Sequence, residues 1–285
     1  PSTQHDDGLW ISTYYRGIEY LDITSGQFTH YNKSTVPGLP CDQTWTVLDG
    51  GDGNLYIGHV GSGFSILSLK DKSLKNFRNE AGNPMSLPGN DVFCIIKDAN
   101  GNIWLGTNNG LALYDAANEN FIMFKNNKND KYATLCSRIL SIRQLKDNRL
   151  WIASELNGIA ILNLKQSMFL SPEEISLEYI QEGADSRSLS NASARCIFQD
   201  SFDNIWIGTW GGGINFISSK PPLFTTLSYS PIPNNENSLN NKVASSLCMD
   251  RQGRVWIGTD GGGINVFEGE KRIAIYKKES GNIPS

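Results

Sequence analysis

Short apolar runs broken by turn residues, and not long amphipathic stretches, set the rhythm of this chain. In the cleanest stretch, Asp91-Val92-Phe93-Cys94-Ile95-Ile96 is rich in β-formers and ends at the turn Asp98-Ala99-Asn100-Gly101. Ile103-Trp104-Leu105-Gly106-Thr107 follows, then a turn at Asn108-Asn109-Gly110 and the run Leu111-Ala112-Leu113-Tyr114. A turn at residues 115–118 leads into Asn120-Phe121-Ile122-Met123-Phe124. The pattern predicts four short strands joined by tight turns. Both faces of Ile103-Trp104-Leu105 are apolar, which predicts a strand buried between two packed sheets. No sustained 3.6-residue period occurs, and residues 172–179 are the one stretch open to a helical reading.

The unit recurs. Six segments align around one aromatic: Gly8-Leu9-Trp10-Ile11-Ser12-Thr13, Asn54-Leu55-Tyr56-Ile57-Gly58-His59, Asn102-Ile103-Trp104-Leu105-Gly106-Thr107, Arg149-Leu150-Trp151-Ile152-Ala153-Ser154, Asn204-Ile205-Trp206-Ile207-Gly208-Thr209 and Arg254-Val255-Trp256-Ile257-Gly258-Thr259. The repeats run approximately over 1–36, 37–82, 83–130, 131–180, 181–230 and 231–285. Four-stranded antiparallel units with apolar faces, at a period near 50, predict an all-β fold, a β-propeller over residues 1–285. An open stack would expose apolar faces at its ends, whereas a ring exposes none. Repeat one begins at its second strand, so the expectation is five four-stranded units and one three-stranded unit, a truncated piece of a seven-bladed ring. Trp10, Tyr56, Trp104, Trp151, Trp206 and Trp256 are expected at equivalent buried positions, and the Gly of Trp-x-Gly is expected to admit the neighbouring blade. Ala153-Ser154 replaces Gly-Thr in repeat four, which is expected to re-aim that blade.

Composition narrows the function classes. Hydrophobic residues make up 39% and charged residues 19%, a balance that fits a folded domain. Lys and Arg number 25 against 29 Asp and Glu, so the basic excess usual in a nucleic-acid binder is missing. The five cysteines (Cys41, Cys94, Cys136, Cys196, Cys248) contain no C-x-x-C pair and are expected to be reduced and mostly buried.

Asp-x-x-Gly-x-Ile-Trp-Ile-Gly-Thr-x-Gly-Gly-Gly-Ile-Asn, with small changes at residues 250–265, resembles the two-component regulator propeller repeat. Ser238-Leu239-Asn240-Asn241-Lys242-Val243 and Ser188-Leu189-Ser190-Asn191 resemble its upstream part. The resemblance implies a periplasmic sensor region of a hybrid two-component histidine kinase of gut Bacteroidetes. In that family two propellers precede an immunoglobulin-like domain, one membrane helix and a cytoplasmic kinase, and the ectodomain senses oligosaccharides. The partners so implied are an oligosaccharide, the adjacent propeller, the immunoglobulin-like domain and a second copy in a homodimer.

Catalytic patterns are weak. Asp98-x-Asn100-x-Asn102 matches the start of a calcium loop, but Ile103 stands where the glycine belongs and Asn109 where the glutamate belongs, so a hairpin turn is the better reading. Gly211-Gly212-Gly213 and Gly261-Gly262-Gly263 open no helix and carry no Lys-Ser/Thr, unlike a phosphate loop. His5, His30 and His59 are scattered, and Glu173-Glu174 are sequence neighbours that point apart. No cofactor, metal site or catalytic constellation is expected.

Binding signals are better. The turns after each second strand share one rim with the starts of the first strands. Tyr15 and Trp210 lie there outside the repeat pattern, beside Arg16, Asp260, Arg138, Arg195 and Lys242. Aromatic faces stack on sugar C–H groups while Arg and Asp bind hydroxyls, and the arginines suit an anionic glycan. Tyr15, Arg16, Trp210, Asp260, Arg138 and Arg195 are the expected ligand residues. The alternatives are a propeller glycoside hydrolase or lyase, which needs two facing acids, and a protein-interaction scaffold.

Overall fold

The computed structural model describes residues 8–124, 133–164, 177–183, 188–220, 227–231 and 235–277. Two compact units are present, residues 1–220 and 221–285.

Among the described residues the first unit holds five antiparallel sheets. They are β1 (Gly8–Thr13), β2 (Gly17–Asp22) and β3 (Phe28–Tyr31); β4 (Thr44–Asp49), β5 (Asn54–His59), β6 (Phe64–Ser68) and β7 (Leu74–Phe77); β8 (Val92–Lys97), β9 (Ile103–Thr107), β10 (Gly110–Asp115) and β11 (Asn120–Met123); β12 (Ile139–Gln144), β13 (Arg149–Ser154), β14 (Ile159–Asn163) and β15 (Leu177–Ile180); and β16 (Ala194–Gln199), β17 (Ile205–Thr209) and β18 (Gly213–Ile217). The second unit holds one, β19 (Ala244–Met249), β20 (Val255–Thr259), β21 (Gly263–Glu268) and β22 (Lys271–Tyr276). Each sheet is a sequential meander and falls within one repeat. Among the described residues the first sheet has three strands, β1 to β3. The stretch that would supply a fourth to the fifth sheet, and most of residues 172–179, lie outside the described residues; Leu177–Ile180 is strand.

In the first unit each apolar core sits between consecutive sheets. Trp104 packs with Leu135, Ile139, Ile142 and Ile152 of the next repeat, Tyr56 with Val92 and Leu105, and Trp151 with Ala194 and Ile207. One backbone bond recurs between sheets: the N–H groups of Gly17, Gly63 and Gly158 donate to the carbonyls of Asp42, Asn90 and Ala192. Two glycines show why Trp-x-Gly is needed. A Cβ on Gly58 would stand 2.7 Å from the Val92 carbonyl, and one on Gly106 would stand 2.7 Å from Ile139 Cγ2. In repeat four the added methyl of Ala153 is matched by a small partner. Ala194 holds the place of Val92 and Ile139, and both alanines are fully buried. The strand keeps the register and bulge of its counterparts.

The turn aspartate has a role the repeat alone did not disclose. Asp98 Oδ1 accepts from the N–H groups of Asn100 and Asn102, and Oδ2 from Asn102 Nδ2 and Trp104 Nε1, each at 2.9 Å. The carboxylate is thus the acceptor of a hairpin turn and the anchor of the tryptophan. Asp200 and Asp250 hold Trp206 and Trp256 in the same way at 2.9 Å. In repeat four Leu145 takes this place, and the indole N–H of Trp151 is left without a partner. We expect Asp98→Ala to cost about 1–3 kcal/mol, since it strands the buried indole N–H, checked by urea denaturation.

Acid should undo the Asp200 and Asp250 anchors. At Asp200 the Trp206 indole leads in holding the carboxyl below its usual range, against a burial cost. At Asp250 burial raises the pKa, but bonds from Trp256, Arg254 and the turn backbone outweigh it and bring it to about 2. A depressed folded pKa means stabilisation that is present above the unfolded value near 4 and lost as pH falls through 2. Tryptophan fluorescence titrated from pH 5 to pH 2 should report a loss of stability confined to the interval from about 4 to about 2.

Two burial expectations are corrected. Trp104 is fully buried and Trp151 nearly so, Trp10 and Trp256 are half-buried, and Trp206 is 40% exposed. Trp206 lies on the last sheet of the first unit, where no further sheet of that unit covers its face. The cysteines are free, but Cys196 and Cys248 are exposed and the other three half-buried. The sequence places them on strands, and which strand face is covered depends on the neighbouring sheet. Burial pushes the Cys94 thiol up to about 12.

Candidate functional site

The first strands carry one irregularity at one place. Register slips between Thr44 and Thr46, Val92 and Cys94, Ile139 and Ser141, Ala194 and Cys196, and Ala244 and Ser246. The extra residue of each bulge is Trp45, Phe93, Leu140, Arg195 or Ser245. A bulge leaves its residue out of the ladder and re-aims its side chain.

In the first unit the second-strand turns meet these bulges along one rim. Tyr14 and Tyr15 touch edge to face with ring centroids 4.8 Å apart, Tyr14 meets Trp45 at 6.2 Å, and Trp45 meets Phe93 at 5.4 Å. The guanidinium of Arg138 lies 4.5 Å over the Phe93 ring. Arg138 Nη1 donates to Glu155 Oε2 at 3.2 Å, and Arg195 Nη2 donates to Glu155 Oε1 at 3.1 Å. The Arg195 guanidinium in turn lies 4.6 Å over Trp210. Side chains from five sheets thus form one unbroken track. Its outer rings are open to solvent: Tyr15 is 77% exposed, Trp210 68%, Trp45 47% and Tyr14 44%.

Of the expected ligand residues, Tyr15, Arg138, Arg195 and Trp210 fall on this track, and the exposed Arg16 lies in the turn with Tyr15. Asp260 starts the equivalent turn of the second unit, where its N–H donates to the Val243 carbonyl, and Lys242 there lies 5.6 Å over Tyr229. Trp45, Phe93 and Glu155 were not singled out from the sequence. Trp45 had a signal, being with Trp210 one of two tryptophans outside the repeat aromatic positions. Glu173-Glu174 and His5 lie outside the described residues.

The turn that carries Glu155 is strained. Leu156 has φ +74° and is 74% exposed, whereas the matching places in repeats two and five are glycines, Gly61 (φ +68°) and Gly211 (φ +76°). A branched side chain in the left-handed region costs about 1–2 kcal/mol, and no burial offsets it here. Leu156→Gly should therefore raise unfolding stability by roughly 0.5–1 kcal/mol, after the added chain entropy of glycine is counted. Thermal denaturation of the two proteins checks this.

His59 stands where Thr107 and Thr209 stand in other repeats. Its Nε2 is 2.8 Å from Ser65 Oγ and its Nδ1 3.6 Å from Cys41 Sγ, and burial lowers its pKa to about 4. The imidazole is thus neutral and fills an interior slot. On the opposite rim a cavity of about 290 Å³ is lined by Asp52, Tyr56, Lys97, Tyr114 and Asp115. The Asp52 and Asp115 carboxylates there are engaged by their own turns and by the Tyr56 hydroxyl.

Sequential four-stranded antiparallel meanders with cores between consecutive sheets define this as a protein built from propeller-type repeats. The family model described as two component regulator propeller matches residues 86–109, 188–211 and 238–261. The chain therefore carries two-component regulator propeller repeats. It is 60% identical to the extracellular domain of a hybrid two-component system from B. thetaiotaomicron, with a TM-score of 0.65 over 96% of this chain and 33% of that one. The extracellular domain of another hybrid system of the same organism is 20% identical with a TM-score of 0.57, and covers 94% of this chain and 33% of its own; this likeness is one of fold. Histidine kinase P4 of Formosa agariphila is 30% identical over 92 residues, 31% of this chain and 7% of that protein. The chain thus spans about a third of the solved relatives and a small part of the curated one. It is similar to the extracellular domains of hybrid two-component systems.

Proposed function

We propose that this chain is a ligand-sensing part of the periplasmic ectodomain of a hybrid two-component histidine kinase, and that it binds an oligosaccharide without turning it over. The observation that carries the ligand class is the exposed aromatic track. Tyr15, Tyr14, Trp45 and Trp210 hold large ring faces in water, outside the repeat positions that packing requires. Such faces suit sugar C–H surfaces, and the arginine and carboxylate groups between them suit hydroxyls. The likeness to extracellular domains of hybrid systems supports the sensor role. Ligand on the track touches several sheets at once, which favours a signal carried by a change of shape or by dimerisation of the receptor.

The chemistry of the track supports binding without turnover. Its one carboxylate, Glu155, has both oxygens taken by guanidinium groups and faces no second acid on the track, whereas a glycosidase uses two facing carboxyl groups. The test is isothermal calorimetry against an oligosaccharide panel, with chromatography of the same mixtures. Saturable heat with intact sugars is expected. Cleaved sugar would favour the hydrolase or lyase instead.

A further inference from the structure

We infer that the Arg138–Glu155–Arg195 triad is an anion subsite of this rim, and that the sugar it accepts carries a carboxylate, as a uronic acid does. The inference rests on the oligosaccharide reading above and specifies its ligand. Three observations carry it.

The first is charge. Two guanidinium groups converge on one carboxylate, one on each of its oxygens, at 3.2 and 3.1 Å. The triad is one negative charge short of neutrality. The groups are partly shielded, with side-chain exposures of 43%, 26% and 36%, so the surplus charge is less screened than on an open surface. The second is unused donor capacity. A guanidinium carries five N–H groups in a fixed fork, and the single bond that each arginine makes to Glu155 leaves donors over on partly exposed side chains. A second carboxylate could take donors that Glu155 leaves over, in the same planar geometry, since arginine pairs with carboxylates edge to edge. The third is the backbone. Glu155 is presented by the turn in which Leu156 holds a left-handed conformation that glycine takes elsewhere, with its apolar side chain in water. The strained turn holds an apolar side chain in water next to Glu155, where a ligand can touch it. Leu156 stands beside the triad, and Trp210 lies over Arg195, so an acid group at the triad would have apolar surface next to it for the body of the sugar ring.

Glu155 also sets the strength of the subsite. It competes for the same donors, so it keeps two arginines from binding anions indiscriminately and leaves room for one acidic substituent.

The experiment compares matched pairs. Uronate tetrasaccharides (oligogalacturonate and unsulfated chondroitin) and their carboxyl-reduced counterparts, which differ only in carrying CH2OH for the carboxylate, are titrated into the chain by calorimetry. At least one uronate member is expected to bind tenfold or more tightly than its reduced partner. This preference should shrink as sodium chloride rises from 0.05 to 0.5 M, should vanish in Arg195→Gln, and should widen severalfold in Glu155→Gln. Equal binding of both members of a pair, independent of salt and unchanged in Arg195→Gln, overturns the anion subsite while leaving the oligosaccharide reading intact. No binding by either member of any pair, nor by neutral oligosaccharides, overturns both. A sulfated chondroitin that binds with the same salt response but after carboxyl reduction would reassign the subsite to sulfate and overturn the carboxylate assignment.

Discussion

Replacing Trp104 by alanine should cost about 3–5 kcal/mol of unfolding free energy, the range for removing a large aromatic from a packed interior. Trp104 is fully buried, stacks on Phe124 with centroids 5.8 Å apart, and donates its indole N–H to Asp98. Its loss leaves a cavity between the third and fourth sheets and removes one of the donors that hold the Asp98 turn. The same substitution at Trp206 is the control. That ring holds the same strand position and the same aspartate bond, but it is 40% exposed and should cost only ~1–2 kcal/mol, in proportion to the apolar area it removes from water. Urea denaturation of both variants separates the two. Equal losses would mean that strand position, and not coverage by a neighbouring sheet, sets the energy of the repeat tryptophan.

Trp210→Ala should weaken oligosaccharide binding by more than tenfold, about 1.4 kcal/mol, with little change in stability. Trp210 is 68% exposed, so the folded core loses almost nothing when the ring is removed. What is lost is a stacking face and the cover over the Arg195 guanidinium. Calorimetry with and without the substitution, beside a melting curve, checks both halves of the expectation. Tyr14 and Trp45 form a second platform at the far end of the track. A ligand long enough to reach both ends should lose affinity at each, and the losses should approach additivity because the two ends share no contact.

Much of this architecture was legible in the pattern of residues. The repeat of Trp-x-Gly at a near-constant interval marks the second strand of each sheet, and the turn residues mark where strands stop. These features are local, because a strand between two sheets must be apolar on both faces and a hairpin must turn within a few residues. The aspartate six residues before Trp104 marks a turn, and the turn is there; its bond to the indole is a tertiary feature, since the hairpin must fold back before carboxylate and ring meet.

The candidate site divides differently. Tyr15 and Trp210 stood out because they break the repeat, and Arg138 and Arg195 because strand starts share a rim with the turns. Trp45 breaks the repeat as well, but its place on the rim, like that of Phe93, comes from a bulge, a register relation between two strands that a single strand does not display. Glu155 became a partner of both arginines only once the β12–β13 hairpin and the bulge of β16 were brought side by side. The exposure of Trp206 is of the same kind: the residue and its strand are set by local chemistry, while its burial depends on which surface lies over it. By itself the sequence determined the strands, the turns and the repeated packing positions, since these depend on neighbours a few residues away. The tertiary structure alone decided which rings are covered and which charges meet, because those contacts join residues that only the stacking of sheets brings within reach.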